Sequence, residues 1–315
     1  MASKIFKPLD FSKVRTYPVT KRFSKVQTSL LGKKIKKGAN MRSFLRGLPD
    51  ILAAQNLKTI ARKIAECKRR NKTVLLGMGA HPIKVGLSPL IIDFMERGIV
   101  HAVALNGAGV IHDFELAYMG ETSEDVATAL KDGSFGMAEE TGAFINAAIS
   151  EGSMHQLGVG AAVGAAILKS RLPHRKLSIL AKGAQLGIPV TSHVAIGTDI
   201  IHMHPKADGA ALGDCSLRDF RTLTSVVATL DGGIYLNFGS AVVLPEVFLK
   251  AVSLARNLGN PVQDLTTVNL DFIQHYRPLT NVVNRPTLGS GKGYYLTGHM
   301  EIMVPLLFAA VLDEL

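Results

Sequence analysis

The chain has no tryptophan, only two cysteines, and little that could cross a membrane. Its most apolar run, Val159 to Leu168, is far shorter than the roughly 20 residues a spanning helix needs. Cys67 and Cys215 stand alone, with neither a metal-ligand spacing nor a disulfide framework, so a reducing cytoplasm is the expected setting. The opening stretch MASKIFKPLDFSKVRTYPVTKRF lacks the apolar core of a secretory signal. Disorder is also excluded, because 47 % of the residues are hydrophobic and only 19 % are charged.

Acid is what the first part lacks most. Residues 1–46 hold 13 of the 36 Lys/Arg and a single acid, Asp10, a net charge of +12; the remaining 23 bases and 24 acids leave the rest at −1. A basic arm (1–46) therefore precedes a nearly neutral body (47–315). Such an arm can meet a polyanion or lie on a neighbouring subunit. It is read as lacking the interleaved aromatics of a base-stacking surface, so the second role is favoured and nucleic acid is not an expected partner.

The body alternates between two periods. Residues 49–70 place Ile51, Leu52, Leu57, Ile60, Ile64 and Cys67 at helical spacing. Thr73 to Leu76 then reads as a buried strand ending in Gly77-Met78-Gly79. A helix over 88–97 follows, with Ser88 as its N-cap and Pro89 in its first turn. His101 to Leu105 is a second strand running into Asn106-Gly107-Ala108-Gly109. Strand, helix, strand with glycine turns is a βαβ unit, which implies parallel strands. Further strands are expected near 177–180, 188–194, 233–238, 265–270 and 294–298. Helices are expected near 111–118, 137–150, 156–170, 181–186, 216–229, 244–257 and 301–313. The fold class is α/β, a doubly wound and mainly parallel sheet.

Ligands of such sheets bind beyond the carboxyl ends of the strands. The candidate loops are Gly77 to His81, Asn106 to Gly109, Thr191-Ser192-His193, Asn237 to Ser240 and Thr297-Gly298-His299. Glycine lets backbone N–H groups approach a phosphate, and a following helix start adds positive potential. Gly158 to Gly164 has the texture of close helix packing rather than of a dinucleotide fingerprint, and Gly289 to Lys292 lacks the P-loop spacing. His193, His202 and His204, with Asp199, Asp208 and Asp214 nearby, raise a second possibility, a divalent metal; on a strand His202 and His204 would share a face. His112, just after a glycine turn, could carry a proton.

The stretch VLLGMGAHPIKVGLSPLIIDFMERGIVHAVALNGAGVIHDFELAYMGE resembles the first half of the deoxyhypusine synthase core. IPVTSHVAIGTDIIHMHP, IYLNFGSAVVLPEVFLKAVSLARN and YYLTGHMEIMVPLLFAA resemble later parts of that family in the same order, from about residue 70 to 312. The resemblance implies an NAD-binding fold and a homotetramer with paired sites at subunit interfaces, an arm reaching over a neighbour, and amine chemistry through a lysine imine. It places the dinucleotide against Ala80, His81, Asn106, Gly107, Ala108, Gly109, Gly239, Ser240 and His299, and turns His112, His193 and Asp199 toward the substrate.

The family's lysine is not retained. Counting from Arg277-Pro278 puts Pro286 at its position, Thr280 and Asn284 at the acidic and tryptophan positions of the polyamine pocket, and His299 at the aspartate of the last strand. Lys292 is the nearest lysine, and an insertion is needed to reach it. Deoxyhypusine synthesis is therefore not expected. The expected function is an NAD-binding transferase or oxidoreductase acting on a small amine-type substrate. The alternatives are a metal-dependent hydrolase built on His193, His202 and His204, and a non-catalytic nucleotide-binding oligomer.

Overall fold

The computed structural model describes Lys4 and residues 6–315. Six strands form one sheet: β1 (Val74–Met78), β2 (Ala102–Asn106), β3 (Val190–His193), β4 (Ile234–Phe238), β5 (Thr266–Asp271) and β6 (Lys292–Thr297). All five pairings are parallel and the order is β3-β2-β1-β4-β5-β6. The chain winds outward from β1 to β3, then returns to β4 on the other side of β1. This is the doubly wound, Rossmann-like arrangement, with its topological switch point between β1 and β4.

The helices are α1 (Met41–Gly47), α2 (Leu52–Arg69), α3 (His81–Lys84), α4 (Ser88–Glu96), α5 (Gly107–Met119), α6 (Val126–Ala129), α7 (Glu139–Met154), α8 (Val159–Lys169), α9 (Ile179–Leu186), α10 (Gly209–Ala228), α11 (Val243–Asn257), α12 (Tyr276–Pro278) and α13 (Met300–Glu314). Among the described residues no helix is long and apolar enough to cross a membrane.

Strand parity divides the core. Val74, Leu76 and Met78 of β1, Val103 and Leu105 of β2, and Ile234, Leu236 and Phe238 of β4 face a large cluster that includes residues of α2, α4 and α13. The residues between them, Leu75, Ala102, Ala104 and Tyr235, face a smaller cluster with Leu223 of α10 and Phe248 of α11. Successive side chains of a strand point to opposite faces, so a strand covered on both sides, such as β1 or the first four residues of β2, is apolar on both faces. Gly77 is the one gap in β1. A methyl group there would overlap the buried Tyr235 ring, which instead stacks on Phe248 with centroids 3.7 Å apart. That glycine serves packing.

Several expectations are corrected. No strand forms near 177–180. Ser178 caps α9 instead, its hydroxyl accepting from the Ala181 amide at 2.9 Å. Three apolar residues around one serine suit a buried helix start as well as a strand, and the cap decides between them. The turn Asn106-Gly107-Ala108-Gly109 is the capped first turn of α5, with Asn106 Oδ1 accepting from the Gly109 amide at 3.0 Å. α10 begins at Gly209, well before 216, because Asp208 accepts from the Ala210 and Ala211 amides. Ser88 does not cap α4: it is that helix's first residue, and its buried hydroxyl has no partner. Residues 200–203 form a 3-10 turn, so His202 and His204 do not share a strand face.

Of Lys4 and residues 6–40, every one is exposed except half-buried Leu30. Phe6, Phe11, Tyr17 and Phe23 alternate with the arm's bases and are at least 65 % exposed. The arm therefore does interleave aromatics with bases, contrary to the expectation from sequence.

Candidate functional site

The carboxyl ends of β2 and β3 feed into one small cavity. Asn106 leads directly into α5, which offers Ala108, Ile111, His112 and Glu115, while the loop after β3 supplies Thr198 and Asp199. The cavity holds about 200 Å³, with Lys84 of α3 and Glu124 also on its wall. That volume suits a small metabolite and is too small for a dinucleotide.

A hydrogen-bond relay fixes the state of His112. Its Nδ1 lies 2.6 Å from Thr122 Oγ1, and that hydroxyl donates to Glu115 Oε2 at 2.5 Å. The other oxygen of Glu115 accepts from Thr141 at 3.1 Å. A carboxylate only accepts and a hydroxyl has one proton, so Thr122 must receive its second hydrogen bond from His112 Nδ1–H. Nε2 is left with its lone pair. Burial, reinforced by the Lys84 charge, pushes the imidazole pKa down to about 4. His112 is thus a neutral base of fixed tautomer at neutral pH.

Asp199 closes the other side. Its carboxylate accepts from the Ala108 amide and lies over Gly107, where any larger side chain would overlap Oδ2. It therefore fills the anion-binding position at the start of α5. Oδ2 is buried and has no hydrogen-bond partner. The Nε2 of His202, 3.9 Å away, is buried and equally unpartnered. His202 Nδ1 accepts from the amides of Gly197 (3.1 Å) and Asp199 (3.4 Å), so the proton resides on Nε2, toward Asp199. Burial pushes the Asp199 carboxyl up from its ordinary value.

The metal-cluster expectation dissolves in this geometry. His193, at the end of β3, is buried against Thr191 Oγ1 at 3.0 Å. His202 belongs to Asp199. His204 pairs with Glu139 at 3.1 Å. Among the described residues no three His, Cys, Asp or Glu side chains gather as a metal site. Asp208 caps α10 and Asp214 holds Arg218 and Ser153, so neither approaches the histidines.

Across the switch point the ends of β1, β4 and β5 meet. Gly79 N donates to Phe238 O at 3.1 Å, and a Cβ on Gly79 would lie 2.5 Å from the Gly239 carbonyl. Gly239 adopts φ +61° beneath the end of the Met300 side chain. Ser240 is buried, its hydroxyl accepting from the Leu244 amide. His81 is exposed, with its ring centroid 6.2 Å from that of Phe272. Asp271 ends β5 with its carboxyl pushed up by burial, against the opposing pull of the Phe272 amide and of His275 and His81. His299 is exposed at the start of α13. The sequence-predicted residues therefore fall into two groups. Ala108, His112 and Asp199 line the cavity, and Asn106, Gly107 and Gly109 belong to the turn that carries Ala108. Ala80, His81, Gly239, Ser240 and His299 lie along the edge beyond it, and His193 is buried in the sheet.

Lys292 is in neither group. It is the first residue of β6 and pairs with Thr266, the first residue of β5. It stands at the amino edge of the sheet, a strand's length from the cavity. Pro286 is buried, its carbonyl accepting from Arg256 at 2.9 Å. The lysine that does line the cavity is Lys84, which the sequence reading did not single out. Thr122, Glu115 and Glu124 were also missed. A helical i,i+3 spacing connects His112 to Glu115, but nothing in the sequence signals the return of Thr122.

No family model matches the chain, and no curated protein matches it. Solved structures do share its fold. AgrE, determined as a ternary complex with ornithine and NAD+, superposes with a TM-score of 0.52 at 12 % identity, over 82 % of this chain and 32 % of AgrE. The chain thus spans about a third of AgrE's length. A conserved protein named as LOR/SDH from Methanococcus maripaludis S2 superposes with a TM-score of 0.51 at 16 % identity, over 83 % of this chain and 70 % of that one. A protein named as a deoxyhypusine synthase from Entamoeba histolytica gives 0.49 at 10 % identity, over 89 % and 95 %. The first two are distant likenesses of fold, and none of the three assigns the chain to a family.

Proposed function

We propose that the chain is an NAD-dependent enzyme acting on a small amine-type substrate, with His112 as the base. The observation that carries this reading is the relay from His112 through Thr122 to Glu115, which leaves a neutral imidazole with a free Nε2 beside a cavity of about 200 Å³. The dinucleotide part is supported by the switch point and by a fold neighbour bound to NAD+.

The residues along the edge fit such a cofactor, because two backbones converge at Gly79 and Gly239, where the end of the Met300 side chain and the Pro82 ring lie over Gly239. Ala80, His81, Ser240 and Asp271 would hold it. When bound, NAD supplies a two-electron acceptor for oxidation of the carbon bearing the amine. Asp199 Oδ2, buried and unpartnered, accepts an N–H of the substrate. His202 Nε2–H, fixed toward that carboxylate, keeps it oriented. His112 Nε2 takes the proton that the amine must lose. A lysine imine has no place in this scheme.

His112→Ala tests the reading. Removing a positioned base costs about 100-fold or more in turnover while leaving NAD affinity intact. The check is NADH absorbance with a panel of primary amines that includes ornithine, alongside melting shifts with NAD. Because the His112 pKa is held at about 4, kcat/KM is not expected to show a limb near the ordinary histidine value of 6.5. NAD binding with no turnover on any amine would leave a non-catalytic nucleotide-binding protein.

A further inference from the structure

The arm is pinned at its inner end. Asp50 N donates to Leu30 O, and Lys33 N to Gly47 O, both at 2.9 Å. Gly32 sits where a Cβ would lie 3.3 Å from the Pro49 ring, so the two limbs of this loop run close together. Between them the chain turns at Gly38 (φ +75°) and enters α1, capped by Asn40 on the Ser43 amide at 2.9 Å. The closed loop surrounds a concavity of about 530 Å³ walled by Lys33, Lys34, Lys36, Lys37 and Arg46, with no carboxylate among its lining residues. Arg42 is set apart from this group by its ion pair with Asp313 of α13. Among the described residues, none of the five wall cations has a salt-bridge partner.

Five cations around one hollow repel each other unless an anion enters. A single phosphate would neutralise at most two of them. A chain of phosphates neutralises all five and releases its own counterions, which is a favourable and salt-dependent exchange. The concavity also discriminates between polyanions. A flexible strand can enter it, whereas a bilayer surface is flat and meets only the rim. Upstream, Phe6, Phe11, Tyr17 and Phe23 stand exposed among Lys7, Lys13, Arg15, Lys21, Arg22 and Lys25. Aromatic faces with interleaved bases form a stacking track for unpaired bases.

We propose that the loop 30–50, with the arm leading into it, is a binding site for single-stranded nucleic acid. The site is separate from the cavity at β2 and β3. The four lysines contact the phosphate backbone, and the arm's aromatics stack on bases without reading sequence.

The experiment uses the full chain, a fluorescein-labelled 20-mer of uridine, and a salt titration followed by anisotropy. Wild type should bind, with an affinity that falls steeply as salt rises. The variant K33Q/K34Q/K36Q/K37Q should lose more than about tenfold in affinity, and its log–log salt slope should flatten by about 3, at roughly 0.7 per lost phosphate contact on a single strand. Its melting temperature should not change, because the four side chains are exposed and unpaired. Arg42→Gln, outside the hollow, should bind almost as wild type does. Failure of wild type to bind the 20-mer would overturn the proposal. So would an unchanged slope in the quadruple variant, or an equal loss in Arg42→Gln. Release of the 20-mer by phosphatidylserine vesicles would assign the arm to a membrane. A change in solution mass of the quadruple variant with RNA binding intact would assign the loop to self-association.

Discussion

Three buried aspartates sit over helix starts, and they differ in what remains after capping. Asp113 receives the Ile179 and Leu180 amides and the Ser178 hydroxyl, so both of its oxygens hold α9 in place. Asp219 receives the amides of Gly160, Ser192 and Val159, joining the start of α8 to β3. Asp199 receives one amide of α5 and keeps Oδ2 without a partner, between Gly107 and the Nε2 of His202. Buried polar atoms are nearly always satisfied, so two of these carboxyls read as structure and the third as a group awaiting a ligand.

The comparison breaks first at Asp219. Asp219→Ala strands three amides, those of Gly160 and Ser192 bonded to one oxygen at 2.9 and 2.8 Å, at a buried position. Orphaning buried donors costs about 1–3 kcal/mol each, and partial relaxation brings the expected loss to about 3 kcal/mol. Urea unfolding measures it. Gly158→Ala should destabilise by the same route, because the added methyl overlaps Asp219 Oδ1. A loss below about 1 kcal/mol in Asp219→Ala would remove the distinction between the two kinds of aspartate.

Acid–base behaviour gives a smaller separation. Burial raises the Asp113 carboxyl from 3.8 to about 6 and that of Asp219 to about 7, against the opposing pull of their hydrogen bonds. The native state therefore holds these protons more tightly than the unfolded chain does. Their contribution to stability is fully present below 3.8 and is lost as pH rises through about 6 and about 7. The melting temperature should fall across that window. Asp219→Asn, which cannot ionise, should flatten the upper part of the fall, and Asp113→Asn the lower part.

The sheet was legible in the sequence because strands buried on both faces are short apolar runs that end in glycine, as at Val74–Met78 and Ile234–Phe238. The βαβ grammar then gave the parallel sheet. Ser178 misled because its neighbours are apolar while its own hydroxyl caps a helix. The glycines were half legible. Gly107 makes room for the Asp199 carboxylate, but Gly77 and Gly160 make room for Tyr235 and for the Val190 carbonyl, and only tertiary contacts tell those roles apart. His112 and Asp199 could be nominated from their places after strands β2 and β3. Thr122, which sets the His112 tautomer, enters from a loop beyond the end of α5. The position of Lys292 depended on strand register, which its pairing with Thr266 resolves.

The smallest effect on stability, and the most informative for function, belongs to Asp199. Asn keeps an oxygen for the Ala108 amide, so Asp199→Asn should change stability by no more than about 1 kcal/mol. The carboxamide removes the negative charge and presents an N–H₂ group either to the cavity or to Nε2–H of His202, and neither accepts a hydrogen bond from an amine. Amine affinity should therefore fall by more than about tenfold, the scale of losing one charge-assisted hydrogen bond. NAD affinity should hold, since the cofactor residues lie across the switch point. His112→Ala predicts the opposite split, with amine affinity kept and turnover lost. Titration calorimetry on both variants, with the same amine, separates recognition from proton transfer. Equal amine affinity in Asp199→Asn and wild type would return Asp199 to the same structural role as Asp113 and Asp219.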